Sequence, residues 1–353
     1  MAAEGGGEPA GASKPARLNL VTGGLGFVGR RLVDVLAERG ERVRVLDIAE
    51  PPEPLPLGIE LVKGSILDRG LVERALDGAD RLYHLAAIPD LWTRDKADFH
   101  RVNTVGTRTV LEAAAAAGVG RVVHTSTESI LRGIGGAGGG AAIDETLRAT
   151  IDDMPGRYCR SKFLAEREAL AAAERGLPVV IVNPTLPVGP GDTRLTPPSR
   201  MILGFANGDY PAFLESRLNM IHVADVAVGH ILAAERGRIG ERYILGNENL
   251  ALSQVLAIIE ELTGLAMPRR RIPYGLALAV AAVGELAADH LTRRPPAAPL
   301  AGVRLAARAT VFDCSKARRE LGLPATPVRT ALAEALRWFL ERGLLRRRPT
   351  RPL

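Results

Sequence analysis

The sequence predicts an α/β protein: a doubly wound parallel sheet followed by a smaller C-terminal α+β substrate-binding domain. Three observations lead there. Short apolar runs alternate with helical stretches through the first half of the chain. A glycine-rich turn, Gly23-x-x-Gly26-x-x-Gly29, joins the first apolar run to the first helix. An acid, Asp47, closes the second apolar run.

The elements follow in order. LNLVT at 18–22 is a strand, and a helix runs from Gly26 to Arg39. ERVRVLD at 41–47 alternates as a second strand, and Pro51, Pro52, Pro54 and Pro56 then enforce a loop. IELVKG at 59–64 and RLYHLAA at 81–87 are the third and fourth strands. The segment from Asp95 to Ala117 reads as one helix, RVVHTST at 121–127 as the fifth strand. A Gly-rich loop at 133–140 precedes a helix from about Gly156 to Arg175, and LPVVIVNP at 177–184 is the sixth strand. Apolar strands between helices mean a parallel sheet covered on both faces.

Past Pro184 the rhythm breaks. HVADVAVGHILAAE (222–235), ERYILG (241–246), SQVLAIIEELTG (253–264) and a last helix at 329–342 read as a smaller domain on the substrate side. The division is therefore 1–16, a Gly/Ala/Pro lead-in expected to be disordered; 17–184, the nucleotide-binding domain; 185–343, mostly substrate-binding with some segments returning to the first sheet; and 344–353, a basic tail expected to be solvated. The most apolar helix candidate, YGLALAVAAVGELAADHL at 274–291, contains Glu285, Asp289 and His290. Its uninterrupted apolar run is short of the roughly 20 residues that span a bilayer. It reads as a buried or lid helix, with a membrane-contact surface as the alternative, joined then by Arg346, Arg347 and Arg348.

Composition removes several classes of function. Two cysteines make no disulfide framework, and no Cys/His cluster has zinc spacing, so no metal is expected. A reducing, cytoplasmic setting is the default, and MAAEGGGEPAGASKPAR lacks the apolar centre of a secretory signal. The net charge of +6 is spread along the chain and aromatics are only 4%, so no nucleic-acid surface is expected.

The glycine turn has the context a pyrophosphate needs: a strand before it, a helix N-terminus after it, and no Cβ in the way. Asp47, at the end of the second strand, can accept both ribose hydroxyls of NAD and would repel the 2′-phosphate of NADP. Arg44 is expected to point off the strand. The competing reading is that Asp47 only caps the strand-to-loop turn. Tyr158 and Lys162 lie four apart on one helix, in a chain with only five lysines. A tyrosine is a poor base at neutral pH, and a neighbouring ammonium favours its phenolate. The pair can then move a proton to or from a ketone or alcohol oxygen. Thr125, Ser126 and Thr127 close the fifth strand and can supply a hydroxyl to hold that oxygen.

Together, the glycine turn, HLAA at 84–87, Asn103 in VNTVGT, the cluster 125–127 and Tyr158-x-x-x-Lys162 resemble the extended short-chain dehydrogenase/reductases (the NAD-dependent epimerase/dehydratase family), from about 17 to 343. MPGRYCRSKFLAERE, VNPTLPVGPGDTRLTPPSRMI and GRIGERYILGNENL are most similar to the hopanoid-associated sugar epimerases, near the dihydroflavonol reductase and 3β-hydroxysteroid dehydrogenase branch. The resemblance implies a Rossmann domain, a small-molecule substrate and a homodimer through the helices at 95–117 and 156–175. It implies catalysis by Tyr158 as acid/base, Lys162 as its tuner and Thr127 on the substrate oxygen, with Asn103 steadying the active-site helix. It implies NAD contacts from Gly23, Gly26, Phe27, Val28, Gly29, Asp47, Ile48, Ser65, Ile66, Leu85, Ala86, Ala87, Thr125, Tyr158, Lys162 and Pro184. Thr127, Glu128 and Asn183 are the substrate contacts. Cys159 is expected to be a bystander, and His84 and His124 to be core or cofactor-edge residues.

Three departures bear on the substrate. Ser65 stands where the family usually has an adenine-contacting aspartate. Thr127 is followed by Glu128 and Ser129, and Ser129 is a poor second acid or base for a sugar dehydratase. Nucleotide-sugar epimerases carry a pyrophosphate-clamping arginine before the stretch matching NMIHVADV; here that position is Leu218, with Arg217 one residue earlier, and a one-residue slip turns a strand side chain to the other face. The expectation is an NAD-linked oxidoreductase acting on a secondary alcohol or ketone, with net redox on a sterol-, lipid- or flavonol-like substrate favoured slightly. A sugar epimerase with retained cofactor is the alternative, and a non-catalytic NAD-binding scaffold an alternative of another kind.

Overall fold

The structure, a computed structural model, describes residues 17–132, 142–308 and 310–353. The lead-in at 1–16 and the Gly-rich loop at 133–140 lie outside the described residues.

The first half alternates as its apolar runs dictate: β1 (Leu18–Thr22), α1 (Phe27–Glu38), β2 (Arg42–Asp47), β3 (Glu60–Lys63), α2 (Arg69–Leu76), β4 (Arg81–His84), α3 (Thr107–Ala116), β5 (Arg121–Thr125), α4 (Arg157–Glu174) and β6 (Val179–Pro184). The rest adds β7 (Leu186–Val188), α5 (Pro197–Asn207), β8 (Arg217–His222), α6 (Val223–Arg236), β9 (Arg242–Leu245), β10 (Glu248–Ala251), α7 (Leu252–Thr263), α8 (Tyr274–Ala287), α9 (Leu300–Ala306) and α10 (Val328–Glu341). Seven parallel strands run in the order β3-β2-β1-β4-β5-β6-β9. Helices on both faces bury β1, β4 and β6 along their whole length, which is why these strands read as continuous apolar runs rather than alternating ones.

Two segments grouped by sequence with the substrate side are among those that return to the first domain, one joining its sheet and one packing on it. ERYILG forms β9, which pairs with β6 at the sheet edge. HVADVAVGHILAAE forms α6, which packs Val226, Ala227 and Ile231 with Leu32, Val33 and Leu36 of α1 in one core. Truncating a Leu there to Ala would cost about 2–5 kcal/mol. The second sheet is small: β7 pairs parallel and β10 antiparallel with β8. Only Thr185 separates β6 from β7, so the chain steps between sheets at the strand ends where a ligand of this fold class sits. A second core lies around Met220, Ile259, Leu332 and Phe339 of β8, α7 and α10.

The expected single helix at 95–117 has two parts. Phe99–Gly106 is wound as a wider π-helix, and regular α3 begins at Thr107. Gly106 permits this approach, because a Cβ there would lie 2.6 Å from Ile66 Cδ1. Such wide turns recur at functional sites, and this one carries Asn103.

Two further expectations are overturned. The helix at 274–291 is not buried: α8 sinks Ala277 and Ala281 against Val303 but exposes Leu276, Val280, Val283 and Leu286, each more than half accessible. Nor is 344–353 a solvated tail. Leu345 is buried, Arg346 pairs with Asp209, Arg347 donates to the Ala266 carbonyl (3.3 Å) and Arg351 to that of Glu261 (2.9 Å). The apolar Leu344 and Leu345 anchor the segment to the second core, and Arg346, Arg347 and Arg351 find acceptors along the way.

Candidate active site

The glycine turn is built for close backbone approach. Gly23 has φ +71°, and a Cβ on it would lie 2.7 Å from the Ala86 backbone. A Cβ on Gly29 would lie 2.2 Å from the Gly23 carbonyl oxygen. α1 starts at Gly26 without a side-chain cap, so its first-turn N–H groups face outward for an anion. Phe27 and Val28 in that turn are half-buried. At the end of β2, Asp47 is nearly buried and each carboxylate oxygen accepts one backbone N–H, Oδ2 from Leu25 and Oδ1 from Ala49, both at 3.0 Å. The turn-capping and ribose-binding readings of Asp47 are therefore compatible, since each oxygen keeps a lone pair for a hydroxyl. Ile48 beside it is 67% exposed. Arg44 points away, to Glu60 and to the carbonyls of Ala75 and Asp77. These residues fit a dinucleotide whose ribose hydroxyls meet a carboxylate.

The remaining predicted cofactor residues divide. Leu85, Ala86 and Ala87 lie just past β4, half-exposed at the strand ends. Ser65 Oγ accepts from Leu67 N–H (3.2 Å) and stays half-exposed. Pro184 is buried at the end of β6. The Ile66 side chain is core, packed with Leu46 and Val110, which leaves its backbone as the part that can face a cofactor. Thr125 is occupied from both sides. Its carbonyl accepts from Lys162 (2.7 Å), and its hydroxyl meets His230 Nε2 at 2.9 Å. His230 Nδ1 donates to the Val226 carbonyl (2.7 Å), so Nε2 is the acceptor and Thr125 the donor. Burial pushes His230 down to about 4, which keeps the ring neutral.

Helix α4 brings Tyr158 and Lys162 to the mouth formed by the ends of β5 and β6. Thr127 sits two residues beyond β5, half-exposed, with its Oγ1 3.1 Å from Ser129 Oγ. Tyr158 is half-exposed, and its ring meets Phe99 edge-on at 6.3 Å. The expected lowering of its pKa is not found. Burial pushes the Tyr158 phenol well above its ordinary value, against a smaller pull downward from the Thr127 side chain. Lys162 is the strongly perturbed cation: burial pulls it down to about 8, partly opposed by Glu166. The ammonium turns to the Thr125 carbonyl instead of lying against the phenol.

Asn103 ties the helix in place. Its Oδ1 accepts from Ile88 N–H (2.7 Å), and its Nδ2 donates to Ser161 Oγ (3.0 Å), which donates to the Tyr158 carbonyl (2.7 Å). Thr104 Oγ1 donates to the Ser161 carbonyl (3.0 Å). The chain of bonds extends to the sheet. Thr107 Oγ1 donates to the Asn103 carbonyl (2.6 Å), so the His84 Nε2 proton points at Thr107 (3.0 Å) and His84 Nδ1 accepts from Thr22 (2.7 Å). Burial holds His84 down to about 3. His124 is likewise buried and kept neutral, so both histidines are core residues. Cys159 is fully buried, with its thiol pushed up to about 12.

Two predicted substrate contacts are placed elsewhere. Glu128 is buried in a bidentate pair with Arg132 (2.7 and 3.2 Å). Asn183 is fully buried and donates to the Thr127 carbonyl (3.2 Å) and to Glu166 Oε2 (2.9 Å). Sequence reasoning missed Arg132, Ser161, Glu166, His230 and Arg242. Glu166, which is buried, accepts Arg242 Nε at 2.6 Å, and Arg242 is partly buried. The available signal for Glu166 was its position one turn after Lys162 on the same helix face. Nothing local marked Arg242 or His230, which arrive from β9 and α6. Among the described residues no cluster of three or more His, Cys, Asp or Glu could hold a metal ion.

Comparison with known proteins agrees with this geometry. Residues 19–246 match the "NAD dependent epimerase/dehydratase family". A protein of Synechocystis sp. named "Putative dihydroflavonol 4-reductase" is 41% identical, over 92% of this chain and 95% of its own. "Sterol demethylase protein B" of Methylococcus capsulatus is 38% identical, over 92% and 99%. The solved structure of MoeE5 in complex with UDP-glucose and NAD is 27% identical, with a TM-score of 0.70 over 92% of this chain and 99% of that one. The glycine cradle, the carboxylate at the end of β2 and the match over most of the chain lead to one conclusion: this chain belongs to the NAD dependent epimerase/dehydratase family, the extended short-chain dehydrogenase/reductases.

Proposed function

We propose that the protein is an NAD-linked oxidoreductase that interconverts a secondary alcohol and a ketone on a large, weakly charged substrate of sterol-, lipid- or flavonol-like character. The observation that carries this reading is the gathering of Thr127, Tyr158 and Lys162 at the strand ends beside the glycine cradle. NAD, when bound, supplies the hydride acceptor or donor. In the reducing direction Tyr158 enters protonated, in keeping with its raised pKa, and gives its proton to the carbonyl oxygen. Thr127 holds that oxygen by its hydroxyl. The Thr127 side chain, which pulls the phenol's pKa down, favours the phenolate left behind, while Lys162, charged at neutral pH, is held on the Thr125 carbonyl. The Asn103–Ser161 bonds keep the first turn of α4 in place while the proton moves.

Net redox is favoured over epimerisation by β8. Leu218 is buried in the second core and Arg217 is exposed on the other face, so no arginine stands at the nucleotide-clamping position. The names of the reductase and sterol relatives support the same choice. The second reading, a sugar epimerase, draws on the relative solved with UDP-glucose. Quantifying the dinucleotide released on denaturing the purified protein separates them. A site that exchanges NADH freely supports net redox. NAD retained at one per chain supports the epimerase, whose cycle never releases it. Retained NADP would overturn the role given to Asp47.

A further inference from the structure

We propose that the α8–α9 hairpin docks on an anionic lipid surface, and that the substrate reaches Tyr158 from that surface. α8 presents Leu276, Val280, Val283 and Leu286 to solvent, with Ala279 and Ala282 between them, and no charged side chain interrupts this face. A solvated helix normally carries charge on its outer side, and an uncharged apolar face of this kind marks a contact surface. The acids of the segment face inward: Glu285 accepts from Leu300 N–H (2.8 Å), and Asp289 holds Trp92 Nε1 (2.7 Å) and Lys96 Nζ (2.9 Å).

Charge identifies the occupant. Arg269, Arg270 and Arg271 precede the helix, and Arg293 and Arg294 follow it, all exposed. Arg269 and Arg271 are paired with Glu260 and Glu215, while the side chains of Arg270, Arg293 and Arg294 have no acidic partner among the described residues. An apolar face bracketed by free arginines complements anionic headgroups above acyl chains. The segment is long and apolar enough on paper to cross a membrane, but its uncharged face from Tyr274 to Leu286 covers only about 20 Å of a roughly 30 Å core. Its other face is fixed to the protein by Ala277, Ala281, Glu285 and Asp289, so it lies on the bilayer and does not span it.

The hairpin also borders the active site. Gly156, two residues before Tyr158, has room for no Cβ because Ala301 of α9 would lie 2.9 Å away, and Arg132, the partner of Glu128, donates to the Leu305 carbonyl (3.3 Å). The delivery of a membrane-dissolved substrate rests on the oxidoreductase reading; the docking does not.

The test is co-sedimentation of the full chain with phosphatidylcholine vesicles, with and without phosphatidylglycerol. The expected result is salt-sensitive binding that needs phosphatidylglycerol. Val280→Glu/Val283→Glu should abolish it, and replacing Arg270, Arg293 and Arg294 by Gln should weaken it about a hundredfold, at about fivefold per arginine. Absence of binding to either vesicle, or wild-type binding by the double Glu variant, overturns the docking. So does a shift of the double Glu variant to a smaller oligomer in light scattering, because the face is then an interface between copies of the chain. These readouts involve no turnover, so their failure leaves the oxidoreductase reading standing.

Discussion

Lys162 is held in its charged form at a cost in stability, and replacing it with Met exposes that cost. Lys162 is 5% accessible and its pKa falls from 10.5 to about 8, chiefly through burial. At about 1.36 kcal/mol per decade, the drop corresponds to about 3 kcal/mol against the charged form at neutral pH. Met has similar length and no charge, so Lys162→Met relieves that term, but it strands the Thr125 carbonyl, at about 1–3 kcal/mol. The net at pH 7 is a variant at least as stable as the parent, by up to about 2 kcal/mol. The pH dependence follows from the sign of the shift. The folded-state value lies below the unfolded one, so between pH 8 and 10.5 the unfolded chain binds more protons and the parent gains stability as pH rises. The advantage of Met is therefore full below pH 8 and falls by about 3 kcal/mol by pH 10.5. Urea unfolding of parent and variant from pH 7 to 10.5, followed by circular dichroism, measures the difference. A stability difference that stays constant across that range would refute the reasoning.

Three further outcomes follow from the same structure. Asp47→Ser should raise the ratio of kcat/KM for NADPH over NADH by at least about tenfold, because the carboxylate that repels a 2′-phosphate is gone; steady-state kinetics with both cofactors reads it. Arg242→Met leaves Glu166 buried and charged, and should destabilise the fold by about 3–5 kcal/mol in urea titrations, far more than removing any of the exposed surface pairs. Cys159 and Cys314, both buried with thiols pushed up to about 12, should be silent to a disulfide reagent at pH 8 in the native protein and react in full once it is unfolded.

What the sequence made legible has a common physical basis. The glycine turn, Asp47 and the Tyr158–Lys162 pair depend on local geometry: a strand-to-helix turn, a strand end and a helix face. Their spacing alone places them. Which segments return to the first sheet was not legible because a short apolar strand such as β9 carries no mark of which sheet it joins, and β6 recruits it across about sixty residues of chain. The roles of Glu128 and Asn183 went astray for a similar reason. Each is a polar residue beside a catalytic motif, and only the folded chain shows that Arg132 and Glu166 have already claimed them. The direction of the Tyr158 shift is set by burial, which only the folded chain establishes, while the Thr125 carbonyl takes up Lys162. Helix α8 was read as a buried or lid helix, with a membrane-contact surface as the alternative, and hydrophobic composition alone does not distinguish a core face from a contact face.

The central claim is that the Tyr158 phenol carries the proton in a hydride-transfer reaction. The most direct measurement is NADH-dependent reduction of a panel of sterol, lipid and flavonol ketones by the parent and by Tyr158→Phe, with cofactor affinity measured alongside. The account predicts a loss of about 10²–10⁴ in kcat with cofactor binding preserved. Equal turnover of any of these ketones by both proteins would contradict it.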